Sequence, residues 1–154
     1  EVLRQLEEMA HARGVELRAT GDFPLVWVDT SRLELVLVNL ISNAIKYSDP
    51  SKPHRFVEIA GRDADGVCEI RVIDNGLGIP QDALKTIFER FARAHTHLDE
   101  HLGVEGSGLG LAIADECARA LGAEITVESQ DGVGTTFTVR LPKRTPEADA
   151  IRSS

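Results

Sequence analysis

The sequence predicts an α/β fold: a two-layer sandwich in which helices cover one face of a mixed, mostly antiparallel sheet. Three observations lead there. Apolar residues recur in turn at helical spacing and in strict alternation, so helices and strands follow one another along the chain. Two of the strand pairs are joined by short glycine-bearing turns, which makes them antiparallel hairpins. The length, 154 residues, suits one domain with a single core.

The elements follow in order. Residues 2–13 read as a short helix that Gly14 stops. Val15–Thr20 alternates as a strand, Gly21-Asp22 turns the chain, and Pro24–Val28 is a second short strand. Asp29, Thr30 and Ser31 offer N-cap side chains to a strongly apolar helix, Leu33–Tyr47. Residues 49–54 (Asp-Pro-Ser-Lys-Pro-His) form a loop. Strands at 55–62 and 67–74 are joined through Asp63-Ala64-Asp65-Gly66. Asp74–Pro80 is punctuated by glycine, and Pro80–Arg90 is helical with proline in the first turn, where its missing N–H is harmless. Residues 92–107 form a polar loop. Gly108–Leu121 is a helix ended by Gly122. Strands at 123–129 and 134–141 flank a Gly132–Gly134 turn. The domain therefore covers 1–142, and 143–154 is a disordered, polar C-terminal tail.

Composition narrows the function. Twenty-five acidic residues against 17 basic ones give a formal net charge of -8, which disfavours unaided binding to a nucleic-acid backbone or an anionic membrane. Any polyphosphate ligand has to be held by local geometry. No apolar run approaches the roughly 18 residues of a membrane span, and no signal peptide is visible. The chain opens on Glu1 without an initiator methionine, as expected of a fragment of a longer polypeptide. Cys68 and Cys117 lack metal-ligand spacing and read as buried, reduced thiols of a cytoplasmic domain.

Three segments carry chemistry. In Asn39-Leu-Ile-Ser-Asn43-Ala-Ile-Lys46-Tyr47, a step of about 100° per residue puts Asn39, Asn43, Lys46 and Tyr47 on one face. The helix is otherwise so apolar that this polar stripe suits the wall of a cavity better than a broad solvated side, because buried amides and ammonium groups need partners. In Asp74-Asn75-Gly76-Leu77-Gly78-Ile79-Pro80, a carboxylate at a strand end can accept from an exocyclic amine, and two glycines permit a tight turn and close approach of a ligand; the same residues also suit an ordinary turn. Gly106-Ser107-Gly108-Leu109-Gly110-Leu111 opens a helix, and its backbone N–H groups can hold an anion. The spacing is Gly-x-Gly-x-Gly and no strand precedes it, so it is neither the dinucleotide fingerprint nor a Walker motif.

The order of these segments, followed by Phe88-Glu89-Arg90-Phe91 and by Gly134-Thr135-Thr136-Phe137 in a strand, resembles the ATP-binding catalytic domain of sensor histidine kinases, in the Bergerat-fold ATPase superfamily. The likeness covers roughly residues 1–142. It implies ATP and Mg²⁺ as cofactors. Asn43 would coordinate the metal through its amide oxygen, and Asn39 would support the metal's water shell or the phosphates. Lys46 would neutralise phosphate charge and Tyr47 would line the adenine or ribose. Asp74 would accept from the adenine amino group, with Gly76 and Gly78 giving the base room and Ile79 also among the nucleotide-binding residues. Arg93, or alternatively Arg90, would touch the γ-phosphate. Gly106, Ser107, Gly108, Leu109, Gly110 and Leu111 would cradle the phosphates, and Thr136 would lie near the floor of the adenine pocket. Residues 92–107 would be a lid that orders on nucleotide. The histidines in it (His95, His97, His101) with Asp99 and Glu100 read as a solvated loop, since a mobile lid is a poor metal cage.

The resemblance also separates kinase from hydrolase. Hydrolytic members place a Glu one helical turn before the metal-binding Asn, as a general base for water. Here that position is Asn39, and a carboxamide cannot deprotonate water. Phosphoryl transfer is mostly positioning and charge stabilisation, so the acceptor can come from elsewhere. No histidine of this chain sits in an acceptor-like context: His11 and His54 lack it, and the others fall in the lid. The expected partners are a phosphoacceptor histidine domain of the same protein and the receiver domain of a response regulator. Neither nucleic acid nor direct membrane contact is expected. The fragment should be a monomer, and the full-length parent, membrane-anchored or not, a homodimer. Two other readings are a nucleotide-sensing module with a degenerate site and a Rossmann-type dehydrogenase. Intact motifs oppose the first. The second lacks a strand into Gly106 and an acidic ribose contact beyond it.

Overall fold

A computed structural model describes residues 2–21, 30–64, 66–84, 87 and 110–142. Its elements are α1 (Val2–Ala12), β1 (Val15–Gly21), α2 (Thr30–Lys46), β2 (Arg55–Ala64), β3 (Val67–Asp74), α3 (Gln81–Leu84), a helix Gly110–Ala120 that we call α4, β4 (Glu124–Gln130) and β5 (Gly134–Pro142).

The five strands form one sheet in the order β1-β2-β3-β5-β4. Parallel pairing needs a crossover, and α2 supplies it between β1 and β2, which run parallel from Val15↔Arg55 to Gly21↔Gly61. The other neighbours are antiparallel. β3 is thus the central strand, and its C-terminal residue, Asp74, lies between Val57 of β2 and Thr135 of β5. The predicted two-layer sandwich with a mixed, mostly antiparallel sheet is what forms.

Alternation decides which side chains meet the helices. Ile70 and Val72 of β3 and Phe137, Val139 and Leu141 of β5 are buried, together with Val36, Leu40 and Ile45 of α2, Ala114 and Ala118 of α4, and Leu6 and Ala10 of α1. The helices pack on this one face and α2 also packs along α4. The other face of the sheet is polar. Arg18 there lies 4.3 Å from the centre of the Phe56 ring, and Arg62 donates to Glu69 at 2.9 Å, which is how an outward-pointing carboxylate comes to be buried. Cys68 is buried and Cys117 half-buried, and neither forms a disulfide. Among the described residues no helix is long and apolar enough to cross a membrane.

Several boundaries move. α2 begins at Thr30, so Thr30 and Ser31 are helical rather than caps, while Asp29 lies outside the described residues. Gly21 pairs in β1 instead of turning. The hairpin is tighter than expected: Asp63 and Ala64 still pair, Ala64 with Val67, and Gly66 has φ +81°. Of the helix expected over 80–90, Gln81–Leu84 is described as helical. The strand expected at 24–28, residues 108–109 of the helix expected from Gly108, and the tail from 143 all lie outside the described residues. Gly122 ends α4 as anticipated, with φ +72°. Its N–H bonds back to Arg119 O at 3.0 Å and that of Ala123 to Ala118 O at 2.8 Å, the paired bonds of a Schellman cap.

Candidate functional site

Asp74 ends the central strand on the sheet's helix-covered face, in phase with buried Val72 and Ile70. Burial pushes its carboxyl up to about 6, against backbone hydrogen bonds from Gly76 and Thr135 and the nearby charge of Lys52, which all pull the other way. The Gly76 N–H reaches Asp74 Oδ1 at 2.9 Å. A half-buried carboxyl held with so little compensation is an acceptor stored in a protein wall, and such groups concentrate at binding sites.

Thr135 faces Asp74 across the ladder and is buried. Its hydroxyl lies 2.8 Å from Ser129 Oγ, which also receives the Ile79 N–H at 2.8 Å and lies 2.9 Å from the Gly134 carbonyl oxygen. Thr136, the threonine expected near the pocket floor, is placed differently. It is out of phase with Phe137, stands across from Ile73 and Glu128, and belongs to the open face of the sheet. The residue of this pair that shares a face with Asp74 is Thr135. Counting back two positions from Phe137, a large apolar residue that must face inward, would have found it.

The turn after Asp74 is stitched to its neighbours by backbone. Leu77 N–H donates to Tyr47 O at 3.0 Å, and Gly132 N–H donates to Leu77 O at 2.7 Å. The end of α2 and the β4–β5 turn therefore grip the segment from both sides. This gives the two glycines a packing role beside any role toward a ligand. A methyl group at Gly76 would overlap the Tyr47 carbonyl, and one at Gly78, where φ is +75°, would overlap the Gln130 carbonyl. Ile79, also expected to line the site, is buried in the hydrophobic core. Asn75 extends the β2–β3 pairing by one step: its Oδ1 accepts from Phe56 N at 3.0 Å and its Nδ2 donates to His54 O at 2.8 Å.

Along α2, Asn39, Asn43, Lys46 and Tyr47 are all half-buried and border the buried stripe of Val36, Leu40 and Ala44. Asn39 Nδ2 is committed to Leu35 O at 2.7 Å. The Asn43 carboxamide has no hydrogen-bond partner among the described residues, so a hard oxygen ligand stands available on the stripe. Gly110 is the first residue of α4, and Leu111 packs against the core. Arg90, Arg93, Gly106, Ser107, Gly108 and Leu109, with His95, His97 and His101, lie outside the described residues. Among the described residues no cluster of His, Cys, Asp and Glu could hold a metal ion.

This arrangement puts a perturbed carboxyl at the end of the central strand and an amide-bearing helix against the turn that follows it. The model of the family of histidine kinase-, DNA gyrase B- and HSP90-like ATPases matches residues 28–145. The chain belongs to this family. Its likeness within it is to the ATP-binding catalytic domain of sensor histidine kinases. It is 40% identical over 144 residues to sensor histidine kinase WalK of Bacillus subtilis strain 168, covering 92% of this chain and 23% of that protein. It is 43% identical over 123 residues to the signal transduction histidine-protein kinase AfsQ2 of Streptomyces coelicolor, covering 79% of this chain and 22% of that protein. The chain thus spans less than a quarter of the length of these two relatives. The solved structure of the mycobacterial sensor histidine kinase MprB matches with a TM-score of 0.74 at 30% identity, covering 93% of each chain. Full-length ShkA in complex with AMPPNP matches with a TM-score of 0.74 at 31% identity, covering 94% of this chain and 30% of that one.

Proposed function

We propose that this ATPase-family domain binds Mg-ATP and donates the γ-phosphoryl group to a histidine on a separate helical domain of the same protein. The observation that carries the reading is Asp74, a half-buried acceptor at the end of the central strand whose carboxyl is raised to about 6 by desolvation. Such a group recovers part of its burial cost when a ligand N–H reaches it. The adenine amino group is a donor of that kind, whereas guanine offers a carbonyl at the same place and would meet the carboxylate with repulsion.

The remaining roles follow from chemistry and placement. Asn43 fits a magnesium ligand because its amide oxygen is hard, half-buried and uncommitted among the described residues. Bound magnesium would neutralise phosphate charge. Lys46, one turn along the same stripe, adds a compact cation for the phosphates. Thr135 offers a hydroxyl beside Asp74 and takes the place in this reading that Thr136 held by sequence. Gly106, Ser107, Gly108, Leu109, Gly110 and Leu111 would cradle the phosphates, with Arg93 or Arg90 at the γ-position. In the transfer the bond from γ-phosphorus to the bridging oxygen breaks, a bond to an imidazole nitrogen forms, ADP leaves, and the imidazole gives up its proton. Asn39 offers no base for water, which supports transfer over hydrolysis. The response regulator's receiver domain would take the phosphoryl group next, and dimerisation would run through the helical domain. We place the domain in the cytoplasm.

Calorimetric titration with ATP and GTP, with and without Mg²⁺, tests the proposal. The expected result is binding that prefers ATP and needs magnesium. Equal affinity for the two nucleotides, or no effect of the metal, would overturn it.

A further inference from the structure

We propose that Lys52 is a positioning residue of the nucleotide site, its ammonium group clamping the turn that follows Asp74 to the hairpin that carries Thr135. The inference rests on the nucleotide reading above.

The geometry is specific. Lys52 Nζ donates to three carbonyl oxygens: Asn75 at 2.6 Å, Gly76 at 3.0 Å and Val133 at 3.0 Å. An ammonium group has three N–H donors, and all three are used. Two acceptors lie one and two residues after Asp74, and the third lies two residues before Thr135. The same two segments approach so closely that a methyl group at Gly134 would overlap the Asp74 carbonyl. Backbone carbonyls crowded in this way point their negative ends into a shared space, and a cation among them removes the repulsion.

Lys52 is itself held in place. Arg55 Nε donates to the Lys52 carbonyl at 3.2 Å, and Lys52 N–H donates to Asp49 O at 3.1 Å. The Asp49 carboxylate closes the loop by accepting from Ser51 N at 2.9 Å and Ser51 Oγ at 2.6 Å. The loop between α2 and β2 is thus a built mount for one ammonium group. A lysine that served the loop alone would bond within it, yet every acceptor of this one belongs to the two segments that flank Asp74 and Thr135. Its charge also favours the ionised Asp74 carboxylate.

The test uses the full chain, as wild type and as Lys52→Met, Lys52→Gln and Lys52→Arg. The first readout is the Asp74 carboxyl titration, followed by carbon NMR without nucleotide. The second is the affinity for Mg-ATP by calorimetry at pH 7.5. Lys52→Met is expected to raise the Asp74 midpoint by at least about half a unit, the scale of a lost neighbouring charge. It should also weaken nucleotide binding by about tenfold, the cost of one misplaced polar contact. Lys52→Arg, which keeps the charge, should recover the midpoint and most of the affinity. If Lys52→Met does not fold, Lys52→Gln, a neutral donor, stands in for it. An unmoved midpoint, or an affinity loss that Lys52→Arg does not recover, would overturn the proposal. Absence of ATP binding by the wild-type chain would overturn the nucleotide reading instead, while the carboxyl titration would still report on the clamp.

Discussion

Thr135 stands directly across the β3–β5 ladder from Asp74, so a buried hydroxyl and a half-buried carboxyl share the helix-covered face of the sheet at its central strand's end. The two residues lie 61 positions apart in the sequence, and the pairing of their strands sets their separation. That relation divides the two threonines of the Gly134-Thr135-Thr136-Phe137 run. Thr135→Val should cost about 1–2 kcal/mol of stability, because Ser129 loses a buried partner. It should also weaken ATP binding. Thr136→Val, on the open face, should stay within about 0.5 kcal/mol of wild type. Urea unfolding and calorimetry of the two variants check both halves.

In the proposed function, Asp74 would trade stability for binding. Its folded-state carboxyl titrates at about 6, above the ordinary 3.8, so between those values the native state holds more protons than the unfolded one. Stability therefore falls as pH rises through that window, by up to about 3 kcal/mol for a shift of this size. Asp74→Asn removes the buried charge. It should raise the melting temperature of the nucleotide-free domain at pH 7.5, with the gain gone by pH 4, while ATP affinity drops by at least about tenfold. Thermal melts at the two pH values, paired with calorimetry, would contradict the assignment if the variant were less stable at pH 7.5 or still bound ATP fully.

In the proposed function the same titration would govern the ligand. An adenine amino donor prefers the ionised carboxylate, so binding should hold Asp74 deprotonated. ATP affinity is then expected to rise with pH through about 6 and to level off above it. Calorimetry at pH 5, 6 and 7.5 checks this, and the dependence should disappear in Asp74→Asn.

Much of this was legible in the residues, because it rests on local pattern. Period-2 alternation marked β1, glycine-bearing turns marked β2 to β5 as two hairpins, the apolar run marked α2, and Asp74 announced itself by standing at a strand end before two glycines. What the sequence hid was long-range. Lys52 looks like any loop lysine until the turn after β3 and the β4–β5 turn bring three carbonyls to it. Ser129 reads as a strand serine, yet its hydroxyl meets Ile79, Gly134 and Thr135. The glycines were legible as necessary and not for all their reasons: Gly76 and Gly78 leave room for the backbones of Tyr47 and Gln130. The motif as a string does not tell Thr136 from Thr135; only the phase with Phe137 puts Thr135 on the face that Asp74 shares.

Those backbone approaches separate two kinds of glycine. At Gly76 a methyl group would press on the Tyr47 carbonyl, which is fixed by the Leu77 N–H. Neither backbone can give way cheaply, and Gly76→Ala should cost about 3 kcal/mol or more. Gly132 has φ +81° but nothing within 4 Å of an added methyl. Gly132→Ala should therefore cost only the backbone strain, about 1 kcal/mol. Chemical denaturation of the two variants measures the difference.

Asn43 is the sharpest test of the metal. Its carboxamide is half-buried on α2 and has no partner among the described residues, so its removal breaks no internal hydrogen bond seen there. Asn43→Ala also places a better helix former in the interior of α2, which by propensity alone favours the fold by a few tenths of a kcal/mol. The variant should thus melt within a few degrees of wild type. Nucleotide affinity should fall to the metal-free level and no longer respond to Mg²⁺, while the preference for ATP over GTP, which the proposal assigns to Asp74, should persist. Retained magnesium dependence in a folded Asn43→Ala domain would move the metal ligand elsewhere on the stripe, to Asn39 or beyond it.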